Sequence, residues 1–244
     1  MKRYNVVLFD LDDTLINTAL DERNAIESVF ANNGLPFGED VVEVFRKKAD
    51  WQTYMLGDFN AKAEFTSKFV QLLDNLAIKN DRQKLVDEYF DKIRQSKTLT
   101  TDAKKVLGSL KKRGYRIYLT ANGYSAFQRK RIELAGLTEY FDGIFISEEA
   151  DVRKPCKAFY DYVMSRIPES NISKVLVVGD AQSTDILGAK NARMDSCWYN
   201  PNHLTPKYQS TYEIDSIDQL FYCLTKNNSI LPSLFAAAVL IYLS

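Results

Sequence analysis

The sequence predicts an α/β fold: a doubly wound parallel sheet with a block of helices inserted after the first strand. Two observations support this prediction. From about residue 98 to residue 200, short apolar segments alternate with helical segments, which is typical of a parallel sheet with right-handed crossovers. Residues 17–97 show helical patterning, and we predict no strand there.

The first predicted strand is the apolar run Val6–Phe9. Helices are then expected over residues 17–35, 39–55, 61–78 and 81–96. In the first of them, Ala19, Ile26 and Val29 share one face. Gly34 follows as a suitable C-terminal cap, because glycine adopts the left-handed backbone that ends many helices.

Beyond the helical block, strands and helices alternate. Strands are predicted over residues 115–123, 143–150, 174–180 and 196–200, and helices over residues 101–114, 125–141, 156–167 and 183–193. The first strand is far from these in sequence, but we expect it to join the same sheet. We therefore predict a catalytic core of residues 1–16 and 98–226, a helical cap of residues 17–97, and an apolar C-terminal tail of residues 227–244.

The composition excludes several classes of protein. Lys and Arg number 32 and Asp and Glu number 32, so no basic excess favours a nucleic-acid polymer. The single histidine, His203, lies in a polar loop, which argues against a Ser-His-Asp triad or a multi-histidine zinc site. Cys156, Cys197 and Cys223 lie far apart in the sequence, and we expect them to be reduced. Any chemistry is therefore expected to use carboxylates and lysine.

No stretch is long enough to span a membrane, and Asp10 interrupts the N-terminal apolar run before a signal-peptide core forms. We expect a cytoplasmic protein. The tail over residues 230–244 is apolar nearly all round. We predict that it docks on the body of the protein or on a second subunit of a homo-oligomer, and a membrane-surface anchor is the alternative.

Charged residues follow the predicted strands where each strand ends. Asp10 and Asp12 follow the first strand, and Lys154, Asp180 and Asp185 follow later ones. Because the carboxyl ends of parallel strands meet at one edge of a sheet, we expect these side chains to lie together. Crowded carboxylates repel one another unless a cation lies among them, so the set predicts a Mg²⁺ site and, with the lysine, a site for a phosphate ester.

Each of these features alone has an ordinary structural explanation. An Asp after a strand more often caps a turn or a helix, and Lys154-Pro155 resembles an exposed turn. Their combination, in this order and each after a strand of one sheet, favours a functional site.

The motifs resemble those of the haloacid dehalogenase-like hydrolase superfamily, whose phosphatases share DxDx[TV], a Ser or Thr after the next core strand, a Lys, and GDxxxxD. The corresponding segments are Asp10-Leu-Asp12-Asp13-Thr14, the sequence LTANG, Lys154, and Gly179-Asp180 through Asp185. The resemblance extends from residue 1 to about residue 225, and the helices between the first two motifs resemble the family's helical cap.

The resemblance implies a role for each matched residue. Asp10 would be the nucleophile that forms an aspartyl-phosphate, and Asp12 would be the acid and base. Lys154 would neutralise Asp10 and the phosphoryl group. Mg²⁺ would be held by Asp10, the backbone carbonyl of Asp12 and Asp180, with Asp185 behind them. An acid at Asp12 also argues against a true dehalogenase.

The sequence departs from the family at the second motif. Relatives usually have Ser or Thr directly before Asn-Gly, where this chain has Ala121, with Thr120 one residue earlier. Because side chains alternate across a strand, the Thr120 hydroxyl is not equivalent to the missing one. We expect Thr120, Ala121, Asn122 and Lys154 to bind substrate, partly through the backbone amides of Ala121 and Asn122.

Within the superfamily, the segments around Asn122 and Asp180 resemble the nucleoside-monophosphate phosphatases, including pyrimidine 5′-nucleotidases. We therefore expect a Mg²⁺-dependent phosphomonoesterase acting on a small phosphorylated metabolite, namely a nucleoside 5′-monophosphate. Alternatives are a sugar-phosphate phosphatase or phosphomutase and, because of Ala121, a weakened binding protein on the same scaffold. Trp51, Tyr54 and Phe59 would stack a base or pack between cap helices.

Overall fold

A computed structural model describes residues 3–47, 61–79, 81–169 and 171–225 of the chain. Its centre is a six-stranded sheet in the order β3-β2-β1-β4-β5-β6, and every adjacent pair is parallel. The strands are β1 Val6–Phe9, β2 Arg116–Ala121, β3 Gly143–Ile146, β4 Val175–Gly179, β5 Asp195–Tyr199 and β6 Tyr212–Ile214. The predicted fold class is confirmed. The first strand joins this sheet as predicted, and the structure places it between β2 and β4.

Helices cover both faces of the sheet and fill the stretch between β1 and β2. Within the described residues they are α1 Thr18–Asn32, α2 Glu39–Lys47, α3 Ala61–Asn75, α4 Arg82–Ile93, α5 Ala103–Lys112, α6 Ser125–Leu134, α7 Ser147–Ala150, α8 Lys157–Met164, α9 Leu187–Asn191 and α10 Leu220–Cys223. At the start of α1 the Asn17 side chain accepts a hydrogen bond from the Leu20 amide at 3.0 Å. Gly34 follows the end of α1 with φ +66°, as its predicted capping role requires.

The structure differs from the predicted elements at several places, of which three concern the sheet and the helices that follow its strands. The strand expected over residues 143–150 ends at Ile146, and α7 follows because the Ser147 and Glu148 side chains accept bonds from the amides of Gly123 and Ser125. The helix expected over residues 183–193 begins as a π-helical turn, Gln182–Ile186, before α9. Strand β6 is missing from the predicted elements, because three residues are too few for a visible alternation.

The sheet has an apolar cluster on each face. Along β1, Val7 and Phe9 face one cluster while Val6 and Leu8 face the other. This alternation places the next residue, Asp10, on the side of Val6 and Leu8. Both clusters are buried, so the strands read as continuous apolar runs, as parallel strands with two covered faces do.

A third apolar cluster lies among helices α1 to α4, and Phe127 of α6 joins it. The cluster includes Phe69 and Tyr89, whose rings stack with centroids 4.4 Å apart. Two chain segments connect these helices to the sheet, and they run side by side: the Asn17 amide donates to the Thr98 carbonyl at 2.7 Å and the Thr100 amide to the Leu15 carbonyl at 3.0 Å. The division into core and cap near these residues stays a prediction.

None of the helices in the described ranges combines the length and the apolar character that crossing a bilayer requires. Trp51, Tyr54, Phe59 and the apolar tail over residues 230–244 lie outside the described residues.

Candidate active site

A buried lysine lies between two carboxylates beyond the ends of β1, β2 and β4. The Lys154 ammonium donates to Asp10 Oδ1 at 2.6 Å, to Asp185 Oδ1 at 2.7 Å and to the Thr120 carbonyl at 2.9 Å. The lysine side chain is 1% exposed, so three acceptors satisfy its three protons out of contact with water. The structure thus brings Lys154 into contact with Asp10, 144 positions away in the sequence, and with Asp185, 31 positions away.

The charges in this cluster do not balance. Burial raises the pKa of Asp10 to about 8, and the charge of Asp185 adds to the effect while Lys154 opposes it. Burial and the charge of Asp10 raise the pKa of Asp180 well above its usual range. Burial alone would lower the pKa of Lys154, but the charges of Asp10 and Asp185 outweigh it and raise that pKa. Because three carboxyl groups lie near one ammonium group, an additional cation would be stabilised here.

The donor set fits a magnesium ion. Asp10, Asp180 and Asp185 each offer a carboxylate oxygen, and these oxygens lie within 4.8 Å of one another. Oxygen ligands from a few carboxylates are what Mg²⁺ prefers. A divalent cation there would also offset the repulsion that raises the pKa values of Asp10 and Asp180. Asp185 already uses one oxygen on Lys154 and the other on the Ala181 amide at 3.2 Å, which suits a place behind the direct ligands.

The glycine at the end of β4 makes room for this arrangement. A Cβ atom on Gly179 would lie 2.3 Å from Cγ of Asp185, far inside van der Waals contact. The carboxylate of Asp185 therefore packs directly against the glycine backbone. This explains physically why Gly precedes Asp in the segment Gly179-Asp180.

Asp180 is held by residues from two other segments. Thr14 Oγ1 lies 3.2 Å from Asp180 Oδ1 and accepts from the Asp180 amide at 3.0 Å. The Trp198 indole on β5 donates to the Asp180 carbonyl at 2.7 Å. These contacts fix the backbone on both sides of the carboxylate, leaving its second oxygen for a ligand.

Asp12 lies in a different environment from Asp10. Its Oδ1 accepts from Thr18 Oγ1 at 2.6 Å and from Arg131 Nη1 at 2.5 Å, and its Oδ2 accepts from Gln128 Nε2 at 2.8 Å. Burial raises the pKa of Asp12, but the charge of Arg131 and these hydrogen bonds outweigh burial and hold the pKa below its usual value. The Asp12 side chain is 30% exposed, so it remains accessible from the cleft.

The second motif contributes the backbone carbonyl of Thr120 and the side chain of Asn122, and both bind Lys154. Thr120 is fully buried, and its hydroxyl donates to the Phe9 carbonyl at 3.2 Å. Ala121 is fully buried and belongs to an apolar cluster. The Asn122 side chain donates from Nδ2 to the Lys154 carbonyl at 3.0 Å, and its Oδ1 accepts from the Lys154 backbone amide at 2.9 Å. Thr120 and Asn122 thus position Lys154, and their predicted contact with substrate stays a prediction.

Several residues near the site are absent from the sequence-based set. They are Thr14, Thr18, Gln128, Arg131 and Trp198. Thr14 belongs to the quoted first motif, which is a usable signal. Arg131 follows Gln128, Arg129 and Lys130 in α6, and residue type alone does not separate it from the exposed Arg129 and Lys130. Its spacing of four residues from Phe127 on the same helix is the available signal.

Comparisons with known proteins identify the relatives of the chain. The family model for haloacid dehalogenase-like hydrolases matches residues 4–193 of the chain. Among curated relatives, the pyrimidine 5′-nucleotidase PynA of Streptococcus pneumoniae is 32% identical over 228 residues, covering 92% of this chain and 96% of the relative. The pyrimidine 5′-nucleotidase YjjG of Escherichia coli is 28% identical over 229 residues, covering 92% of this chain and 100% of the relative.

A solved structure has a similar fold along nearly the whole chain. It is that of the HAD-hydrolase YfnB from Bacillus subtilis bound to magnesium, with a TM-score of 0.81 and 29% sequence identity. The similarity covers 91% of this chain and 99% of that one.

Proposed function

The chain belongs to the haloacid dehalogenase-like hydrolase family and is a phosphoric monoester hydrolase; we propose that it is a Mg²⁺-dependent phosphatase of nucleoside 5′-monophosphates that works through an aspartyl-phosphate. The main supporting observation is the cluster of three carboxylates around Lys154 at the edge of the sheet. Two relatives named as pyrimidine 5′-nucleotidases support the substrate class.

The first chemical step uses Asp10. A carboxylate oxygen of Asp10 attacks phosphorus, the new O–P bond forms, and the bond from phosphorus to the ester oxygen breaks. The reacting form has Asp12 protonated, which the lowered pKa of Asp12 makes the minor form of the free protein. Asp12 donates this proton to the leaving oxygen, which departs as a nucleoside. Lys154, which contacts Asp10 at 2.6 Å, offsets negative charge on the nucleophile and on the phosphoryl group.

The second step regenerates the enzyme. Asp12 takes a proton from water, and the resulting oxygen attacks the phosphorus of the aspartyl-phosphate. Inorganic phosphate leaves and Asp10 is again a carboxylate. Mg²⁺, held by Asp10, Asp180 and the Asp12 carbonyl with Asp185 behind them, would supply positive charge for the phosphoryl oxygens.

The test is phosphate release from a panel of nucleoside monophosphates and sugar phosphates, with Mg²⁺ or with EDTA. We expect metal-dependent release that is fastest for a nucleoside 5′-monophosphate. Preference for a sugar phosphate would instead identify a sugar-phosphate phosphatase. A phosphomutase would require a bisphosphate activator and release little phosphate.

A weakened binding protein on this scaffold is the remaining alternative, and Ala121 is the observation that favours it. Such a protein would bind phosphate esters without turnover. Restoring the family's hydroxyl with Ala121→Ser would then produce turnover only if the rest of the site is competent. Turnover by the unmodified chain would eliminate this alternative.

A further inference from the structure

The guanidinium of Arg131 lies at the centre of a buried hydrogen-bond network beside Asp12. Its Nη1 donates to Asp12 at 2.5 Å and to Gln128 Oε1 at 2.9 Å, and its Nη2 donates to Thr18 Oγ1 at 2.7 Å. Its Nε donates to Ser96 Oγ at 2.5 Å. The Arg131 side chain is 0% exposed, so these partners take the place of water.

Two of these partners lie on the chain segments that connect the sheet to the helices. Thr18 is the first residue of α1, and Ser96 follows α4 by three residues. Arg131 itself belongs to α6, which packs beside the sheet. One side chain therefore touches both connections and the proposed acid at the same time.

If Arg131 had only a structural role, a charged side chain would not be required between Ser96 and Thr18. Neutral side chains could join Ser96 to Thr18, whereas burying a guanidinium away from water carries a large desolvation cost. The carboxylate that this buried cation contacts is Asp12. Two residues earlier on the same helix, Arg129 is 47% exposed and pairs with Glu149 on the surface.

We propose that Arg131 is a positioning residue for the reaction: it holds the Asp12 carboxyl at the leaving ester oxygen and links that position to both connections. This inference rests on the proposed function. Proton transfer to the leaving oxygen needs Asp12 within hydrogen-bond reach as the P–O bond breaks. None of the hydrogen bonds of Arg131 reaches Asp10 or Lys154, so it affects the departure of the leaving group rather than the binding of phosphate.

Leaving-group dependence separates this role from a structural one. An alkyl phosphate releases a strongly basic alkoxide that must be protonated, whereas p-nitrophenyl phosphate releases a weakly basic phenolate that needs little acid assistance. The parameter kcat/KM reports the steps up to the transfer of phosphorus to Asp10, where the two esters differ. The alkyl ester for this test is chosen as the alkyl phosphate that the unmodified enzyme hydrolyses fastest in the substrate panel.

The experiment compares Arg131→Lys with Arg129→Lys, a matched change on the same helix. For Arg131→Lys we expect kcat/KM to fall about thirtyfold with the alkyl ester and about twofold with p-nitrophenyl phosphate. Arg129→Lys should leave both values unchanged. Equal losses with the two esters, or no loss with either, would overturn the proposal.

Ser96→Ala keeps the test decisive if Arg131→Lys does not fold. It removes the acceptor of Arg131 Nε and leaves Asp12 and the three side chains that donate to it, including that of Arg131, unsubstituted. We expect the same selectivity at about threefold, because the guanidinium loses one of its four fixed contacts. No selectivity in this variant would count against the role of Arg131. Absence of Mg²⁺-dependent release from every ester by the unmodified enzyme is a separate result, which overturns the proposed function and this role with it.

Discussion

The site contains two clusters, each built around its own buried cation, and the two differ in charge. The sheet-edge cluster consists of Asp10, Lys154, Asp180 and Asp185, with three carboxylates for one ammonium. The connection cluster consists of Asp12, Thr18, Ser96, Gln128 and Arg131, with one carboxylate for one guanidinium. The pKa of Asp10 is raised to about 8, and the pKa of Asp12 is lowered.

This difference in charge indicates which task each cluster suits. The sheet-edge cluster is deficient in positive charge, so a divalent cation and a phosphate ester fit it together. The connection cluster is balanced and its hydrogen bonds are satisfied, so it holds one carboxyl in place. Neighbouring residues of one motif, Asp10 and Asp12, thus receive opposite environments and are suited to different tasks.

The largest expected effect concerns the nucleophile. Asp10→Asn should lower kcat by at least about a thousandfold with every ester, because the amide cannot form the phosphoenzyme. Asp12→Asn should instead lose more kcat/KM with alkyl phosphates than with p-nitrophenyl phosphate. Steady-state phosphate release measures both. Residual Asp10→Asn activity near that of the unmodified enzyme would contradict the assigned chemistry.

The packing of the sheet-edge cluster is tested at Gly179. Gly179→Ala should lower the free energy of unfolding by about 2 kcal/mol, because the new Cβ overlaps the Asp185 carboxyl. Gly108→Ala in α5 is the matched control. Its nearest contact would be 3.6 Å, and removing a glycine from a helix interior should stabilise the protein by about 0.5 kcal/mol. Urea unfolding measures both free energies of unfolding. If Gly179→Ala stabilised the protein as much as Gly108→Ala, the Asp185 side chain would have to move away from the new Cβ at no cost.

We also predict that Asp10→Asn and Asp12→Asn change the free energy of unfolding in opposite directions, measured in EDTA at neutral pH. A raised pKa means that folding disfavours the ionised carboxyl, so Asp10→Asn should stabilise the metal-free protein by about 1 kcal/mol. A lowered pKa means that folding favours the ionised carboxyl, so Asp12→Asn should destabilise it by about 1 kcal/mol. Chemical denaturation measures both shifts. Shifts of the same sign would break the distinction between the two clusters.

Magnesium binding should also change the stability of the sheet-edge cluster. At ten times its Kd, Mg²⁺ should stabilise the folded protein by about 1.4 kcal/mol and raise Tm by a few degrees. Asp180→Asn should abolish most of this rise, because a proposed ligand is lost. Sodium chloride at matched ionic strength is the control. A rise of equal size in Asp180→Asn would place the ion elsewhere.

The sequence by itself determined the α/β class, the membership of β1 in the same sheet as the later strands, and the set of strand-end charges. Apolar runs of strand length report directly on burial, and the rule that parallel strands align their carboxyl ends converts sequence order into proximity. Asp10, Lys154 and Asp185 could therefore be expected to meet, although 144 residues separate Asp10 from Lys154.

Only the tertiary structure decided the environment of Asp12. Arg131 and Arg129 look alike in the sequence, yet Arg131 is buried beside Asp12 and Arg129 is half exposed. Local sequence reports residue type and periodicity, whereas the burial of one helix residue depends on what packs against that face. Contacts among Asp12, Ser96 and Arg131 arise from three distant segments, and the fold alone fixes their distances.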